Sequence, residues 1–143
     1  MRSLLLVLLL AGCPPPPPVP IHPKVGPDGC IDLLADAAVR VNQTMQVRAR
    51  TDQMKALPDG PDFNFDGRPD IVVRFDDDRD HPMWWWHVLY VRTQTCPSPI
   101  AVIQAAQVAC MDTQSNGLCD LDLVLQTGAL HQHMYFDGHR YHR

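Results

Sequence analysis

The stretch DFNFDGRPDIVV, residues 62–73, limits the folds open to this chain more than any other feature. Oxygen-bearing side chains stand at Asp62, Asn64, Asp66 and Asp70. Gly67 permits a sharp turn, and the carbonyl of Arg68 can complete a shell of hard donors of the kind Ca²⁺ prefers. Ile71, Val72 and Val73 follow at once, β-branched and apolar, and predict the start of a core strand. An oxygen-rich loop feeding a buried strand belongs in a sheet. The other reading of the same loop is an Asp/Asn/Gly turn whose side chains only cap their own backbone.

The pattern D-x-N-x-D-G-x-x-D resembles the calcium loops of FG-GAP and VCBS repeat proteins, and more distantly those of dockerin and EF-hand modules. An EF-hand needs a bidentate Glu at its twelfth position, where Val73 stands, so a hairpin loop is the better reading. A second copy, Asp112, Gln114, Asn116, Gly117 and Asp120 in DTQSNGLCD, repeats the spacing, and residues 121–125 repeat the strand. Amides at Gln114 and Asn116 predict a degenerate loop that holds calcium poorly. The resemblance covers only these two loops and the strands that follow, and the FG-GAP signature itself is absent. It implies Ca²⁺ as a structural cofactor at Asp62, Asn64, Asp66, Arg68 and Asp70, and a role in protein contacts.

The chain opens MRSLLLVLLLAGC, with one positive charge at Arg2 and an apolar run over residues 4–10 that is too short to span a bilayer and typical of a secretory signal. Leu10, Ala11, Gly12 and Cys13 resemble a bacterial lipobox. The resemblance implies a signal peptide over residues 1–12, cleavage before Cys13 and lipidation of Cys13, with acyl chains holding the protein on a membrane. By resemblance to enterobacterial lipoproteins, Pro14 after the cysteine implies the outer membrane, facing the periplasm or the exterior. Residues 13–27 then form a Pro-rich tether, a polyproline II spacer that at about 3.1 Å per residue stands the folded part roughly 30 to 40 Å from the lipid. An ordinary secreted protein is the alternative.

Residues 28–143 are left for one small calcium-loop domain. They hold Cys30, Cys96, Cys110 and Cys119, an even number in an exported chain, so two disulfides are expected. Of three connectivities, Cys110 with Cys119 and Cys30 with Cys96 is favoured, because Cys110 and Cys119 bracket the second loop at hairpin distance. All 16 acidic residues are Asp, and only Lys24 and Lys55 among 12 basic residues are lysine. Losing Glu and Lys removes common helix formers, while Asp suits turns and calcium loops. The expected fold is therefore mainly β, hairpin repeats in a small sheet or sandwich-like arrangement with one short helix; a disulfide-stapled α+β fold is the alternative. Net charge of −4 and no basic stripe disfavour nucleic acid as a partner.

Residues 31–41 predict the helix, with Ile31, Leu34, Ala38 and Val41 on one face, and the alternation over residues 39–49 predicts a strand after it. In WWWHVLYVR, Trp84, Trp86, Val88 and Tyr90 share one strand face and Trp85, His87, Leu89 and Val91 the other. Both faces are largely apolar, which predicts core on one side and a helix on the other. The alternative is an exposed platform of Trp84, Trp85 and Trp86 for glycan or protein. Before it, DDDRDHP crowds Asp76, Asp77, Asp78 and Asp80 at a hairpin tip, a solvated turn or a second cation site. A strand over residues 121–126 is expected to pair, after Thr127 and Gly128, with one over residues 131–136, and Asp137 with Gly138 makes a last turn.

His131 and His133 share a strand face and would chelate Zn²⁺ or Cu²⁺ if His139 or His142 folds back; exposed terminal histidines are the alternative. No G-x-S-x-G, H-E-x-x-H or phosphate loop occurs. The expectation is a non-catalytic, lipid-anchored envelope protein with a structural Ca²⁺ loop, binding or scaffolding a protein or glycan. The runner-up is a periplasmic transition-metal binding protein or metalloenzyme using the C-terminal histidines. A small inhibitor or accessory subunit is a third.

Overall fold

A computed structural model describes residues 25–45, 48–57, 59–75, 85–126 and 130–143. The signal peptide, Cys13, the tether before Val25, the acidic tip, Trp84 and the turn at 127–128 lie outside the described residues. The fold is mainly β. One helix, α1 (Leu33–Met45), precedes β1 (Met54–Leu57), β2 (Ile71–Phe75), β3 (Trp85–Val91) and β4 (Ser98–Ala105), then β5 (Gln107–Ser115), β6 (Leu118–Gln126), β7 (Leu130–Phe136) and β8 (Tyr141–His142). The strands make two antiparallel four-stranded sheets, ordered β1-β2-β3-β4 and β5-β6-β7-β8.

The apolar runs of β2 and β3 arise because the first sheet is the middle of three layers. On one face Ile71, Val73, Phe75, Val88 and Tyr90 pack under Ala37, Ala38 and Val41 of α1. On the other, Val72, Leu89, Val91, Ile103 and Ala105 meet Leu118, Cys119, Leu121 and Leu123 of the second sheet. Strand alternation delivers successive residues to the two interfaces, so neither face of β3 is free for solvent. Trp86 packs against the helix-side cluster, and Trp85 lies half-buried with the Arg74 guanidinium 4.1 Å from its ring centroid.

Asp32 caps α1, its Oδ1 accepting the backbone N–H groups of Leu34 and Ala35 at 3.2 Å each. Inside the helix, buried Asp36 accepts from the Tyr90 hydroxyl at 2.8 Å and from Arg40 Nε at 2.6 Å, which satisfies a charge on the apolar face. Burial, with Asp36 beside it, pushes the Tyr90 phenol well up.

The strand expected over residues 39–49 is corrected: the helix runs on to Met45. Val41 and Met45 are four apart, a spacing that keeps two residues on one face in a helix and in a strand alike, so this alternation does not discriminate. The strand role passes to β1, whose register, Met54 opposite Phe75 through Leu57 opposite Val72, places residues 59–70 in a hairpin connection. Both favoured disulfides form: Cys30–Cys96, with Cα atoms 5.4 Å apart, and Cys110–Cys119, with Cα atoms 5.5 Å apart.

Candidate metal-binding loop

The loop is anchored from within. Phe63 is fully buried between the sheets. Its carbonyl accepts the Cys119 N–H at 2.7 Å, and the Asp62 carbonyl oxygen lies 3.5 Å from Cys110 Sγ. Both contacts reach the cysteines of the disulfide that links β5 to β6, so the loop belonging to one sheet is fastened to the other. Beyond Phe63 the chain turns through Phe65 at φ +55° and Gly67 at φ +83°, the left-handed region that a bulky residue occupies only under constraint. Phe65 is left exposed.

The polar side chains organise that turn. Asp62 accepts from the N–H groups of Asp66 (3.1 Å) and Gly67 (2.7 Å), and Asp66 Oδ1 from that of Arg68 at 2.9 Å. Asn64 Oδ1 accepts from Asp66 N–H at 3.2 Å, while its Nδ2 donates to Asp66 Oδ2 at 3.1 Å. Asp70 closes the loop. Fully buried, it accepts from Phe63 N–H at 2.8 Å and from Arg92 N–H at 2.6 Å, joining both ends of the loop to the end of β3. Gly60 lies so close behind that an added Cβ would sit 2.8 Å from the Asp70 carbonyl oxygen.

Burial pushes the Asp70 carboxyl up, the N–H groups of Arg92 and Phe63 pull it down, and the negative charges of Asp62 and Asp66 push it up again; the net direction is upward. A carboxyl whose folded pKa is raised stabilises the fold below its unfolded value and loses that contribution as pH rises through the folded one. In chelator, the unfolding free energy of the wild type relative to Asp70→Asn should therefore fall as pH rises from about 4. Denaturant titrations at several pH values check this, and a difference that grows with pH would refute it.

The donor set fits a hard cation: three carboxylates, one amide oxygen and the Arg68 carbonyl, with repulsion among the carboxylates for a cation to relieve. A carboxylate oxygen holding one N–H retains lone-pair capacity for a metal. As they stand, no three His, Cys, Asp or Glu side chains among the described residues are gathered at metal-binding geometry; in this conformation the carboxylates serve the loop backbone.

The second copy takes a different form. Asp112 and Gln114 lie within β5, Asp120 within β6, and Asn116 with Gly117 makes a two-residue turn, Ser115 pairing with Leu118. Both turn residues have positive φ, +49° and +87°, the signature of a type I′ hairpin. The expected shared plan of two loops is corrected accordingly: Asn-Gly here serves the hairpin, and the Asn116 amide donates to the Phe136 carbonyl at 2.8 Å. Asp120, at the position matching Asp70, is buried, and its Oδ1 has no hydrogen-bond partner.

The histidines are placed on β7 and β8 and in the turn between them. His131 and His133 share a face, as expected from alternation, but their near neighbour is Asp122 on β6. His131 Nδ1 is 3.1 and 3.0 Å from the two carboxylate oxygens, and His133 Nε2 is 3.6 Å from Oδ1. His139 sits in the turn after Asp137, and His142 has Nδ1 3.1 Å from the Arg143 carbonyl oxygen, so neither closes on the pair. Asp122 escaped the sequence reading, though counting outward from Thr127 and Gly128 places it opposite His133, as the strand register does.

No family model, curated protein or solved structure matches this chain.

Proposed function

We propose that this chain is a non-catalytic module of the bacterial envelope, held on the outer membrane through lipid on Cys13. In this reading Ca²⁺ at Asp62, Asn64, Asp66, the Arg68 carbonyl and Asp70 stiffens the β1–β2 loop. The observation that carries the calcium assignment is the donor set itself: the turn draws Asp62, Asn64 and Asp66 together around the backbone of residues 66–68, and the fully buried Asp70 closes it. A divalent ion among those carboxylates relieves their mutual repulsion and, binding the folded state alone, stabilises it by mass action. The seam between the sheets passes through the same loop, so the ion orders the whole domain. The module's work is binding or scaffolding a protein or glycan of the envelope, with the tether giving reach. Two further facts favour binding over catalysis: the loop's carboxylates are committed to its own backbone, and Cys30, Cys96, Cys110 and Cys119 are paired, which leaves no nucleophilic thiol among them.

Thermal melts of the oxidised chain test the calcium assignment. Millimolar Ca²⁺ should raise the midpoint of the wild type, and Asp66→Ala should abolish that rise while costing less in chelator. A variant that loses as much stability in chelator as in calcium would reduce the loop to a self-capped turn.

A further inference from the structure

We propose that Asp122, His131 and His133 form a surface site for a divalent transition metal, with Zn²⁺ as its reference ligand. The site is separate from the calcium loop and does not depend on it. Asp122 and His133 are a registered pair across β6 and β7, and His131 lies two residues back along β7 on the same face. Bonds of about 2.0 to 2.2 Å at near-tetrahedral angles place two ligand atoms about 3.3 to 3.6 Å apart. The separations here, 3.0 Å for His131 Nδ1 and 3.6 Å for His133 Nε2, bracket that span.

The ion would take the place of the hydrogen bond that now joins His131 to Asp122. As they stand the three side chains do not meet at metal-binding geometry, but both imidazoles are about half exposed, with side-chain exposures of 56% and 49%, so side-chain rotation alone can bring them round a common point. The backbone beneath is fixed, since Leu121 and Leu123 on the opposite face of β6 are buried in the core between the sheets. Two imidazole nitrogens with one carboxylate suit Zn²⁺, Cu²⁺ or Ni²⁺ rather than Ca²⁺, and three protein ligands leave a fourth position for water.

A second observation points to a cation on this face. Asp120 stands two residues before Asp122 on β6, about 6.6 Å along the strand and on the same side by alternation. It is only 4% exposed, and its Oδ1 has no hydrogen-bond partner. An acceptor oxygen without a donor this near Asp122 leaves capacity on this face for a bound cation.

Titration calorimetry of the oxidised full chain with ZnCl₂ tests the site. One equivalent should bind. His131→Ala, His133→Ala and Asp122→Asn should each weaken binding at least about tenfold. His139→Ala, His142→Ala and Asp66→Ala should bind as the wild type does. Metal-free melts of the variants guard against unfolding, with His131→Gln and His133→Gln replacing any alanine variant that melts early. Co²⁺ in place of Zn²⁺ should give visible d–d absorption that disappears with either imidazole. Absence of Zn²⁺ binding overturns the proposal, as does binding that survives loss of both imidazoles or binding lost on removing His139 or His142. Because Asp66→Ala tests calcium alone, failure of either site leaves the other standing.

Discussion

Replacing Phe63 by Ala is expected to cost about 3 to 5 kcal/mol of folding free energy, a large share of the roughly 5 to 15 kcal/mol that holds a small domain together. Phe63 is one of the largest fully buried side chains and packs where the two sheets meet. Its backbone is committed at both ends, the N–H to Asp70 and the carbonyl to Cys119. A cavity at this point empties the seam and loosens the segment that carries the candidate metal loop. Urea unfolding of Phe63→Ala beside Phe65→Ala provides the contrast, because Phe65, two residues on and exposed, should change stability by less than about 1 kcal/mol. Similar losses in the two variants would remove Phe63 from its anchoring role.

Deleting the Cys30–Cys96 crosslink with paired serines should cost about 4 kcal/mol, given the 66-residue separation it spans. The Cys110–Cys119 crosslink, with a separation of 9, should contribute roughly 2 to 3 kcal/mol on the same loop-closure account. The longer bridge also ties the segment before α1 to the segment after β3, so its loss frees the helix from one edge of its sheet. Guanidinium unfolding of the two double-serine variants gives the ranking. If the short bridge proved the more stabilising, chain entropy would not be the main contribution of these bonds.

The legible parts of this fold are those in which local chemistry and tertiary demand agree. Residues 71–75 and 85–91 are largely apolar on both faces, and a strand of that kind has to be covered twice, which is what α1 and the second sheet do. The even number of cysteines after residue 28, read with the expectation of export, foretold the two bridges. The misreadings fall where one local pattern serves two structures. Spacing by four suits both a helix and a strand at Val41 and Met45. Asn-Gly suits both a calcium loop and a type I′ turn at Asn116 and Gly117, and the pairing of Gln114 with Cys119 decides for the turn. Within the candidate site, donor types were readable but their surroundings were not. Asp70 is satisfied in part by the backbone N–H of Arg92, which lies 22 residues away. The pairing of Asp122 with the histidines depends on a strand register that composition does not carry.

Each sheet is a meander in chain order, and Ala106 alone stands between β4 and β5, its N–H donating to the Val124 carbonyl at 2.6 Å. Every strand pairing within the two sheets therefore joins sequence neighbours, the arrangement that keeps loop-closure costs low and folding fast. A chain emerging N-terminus first can complete its first sheet and helix before residue 107 appears. Until β5 and β6 arrive, however, Phe63, Val72, Leu89 and Val91 lack their cover. While it lasts this half-built intermediate carries an open apolar face, so the interval between the two meanders is when the chain is most prone to aggregate.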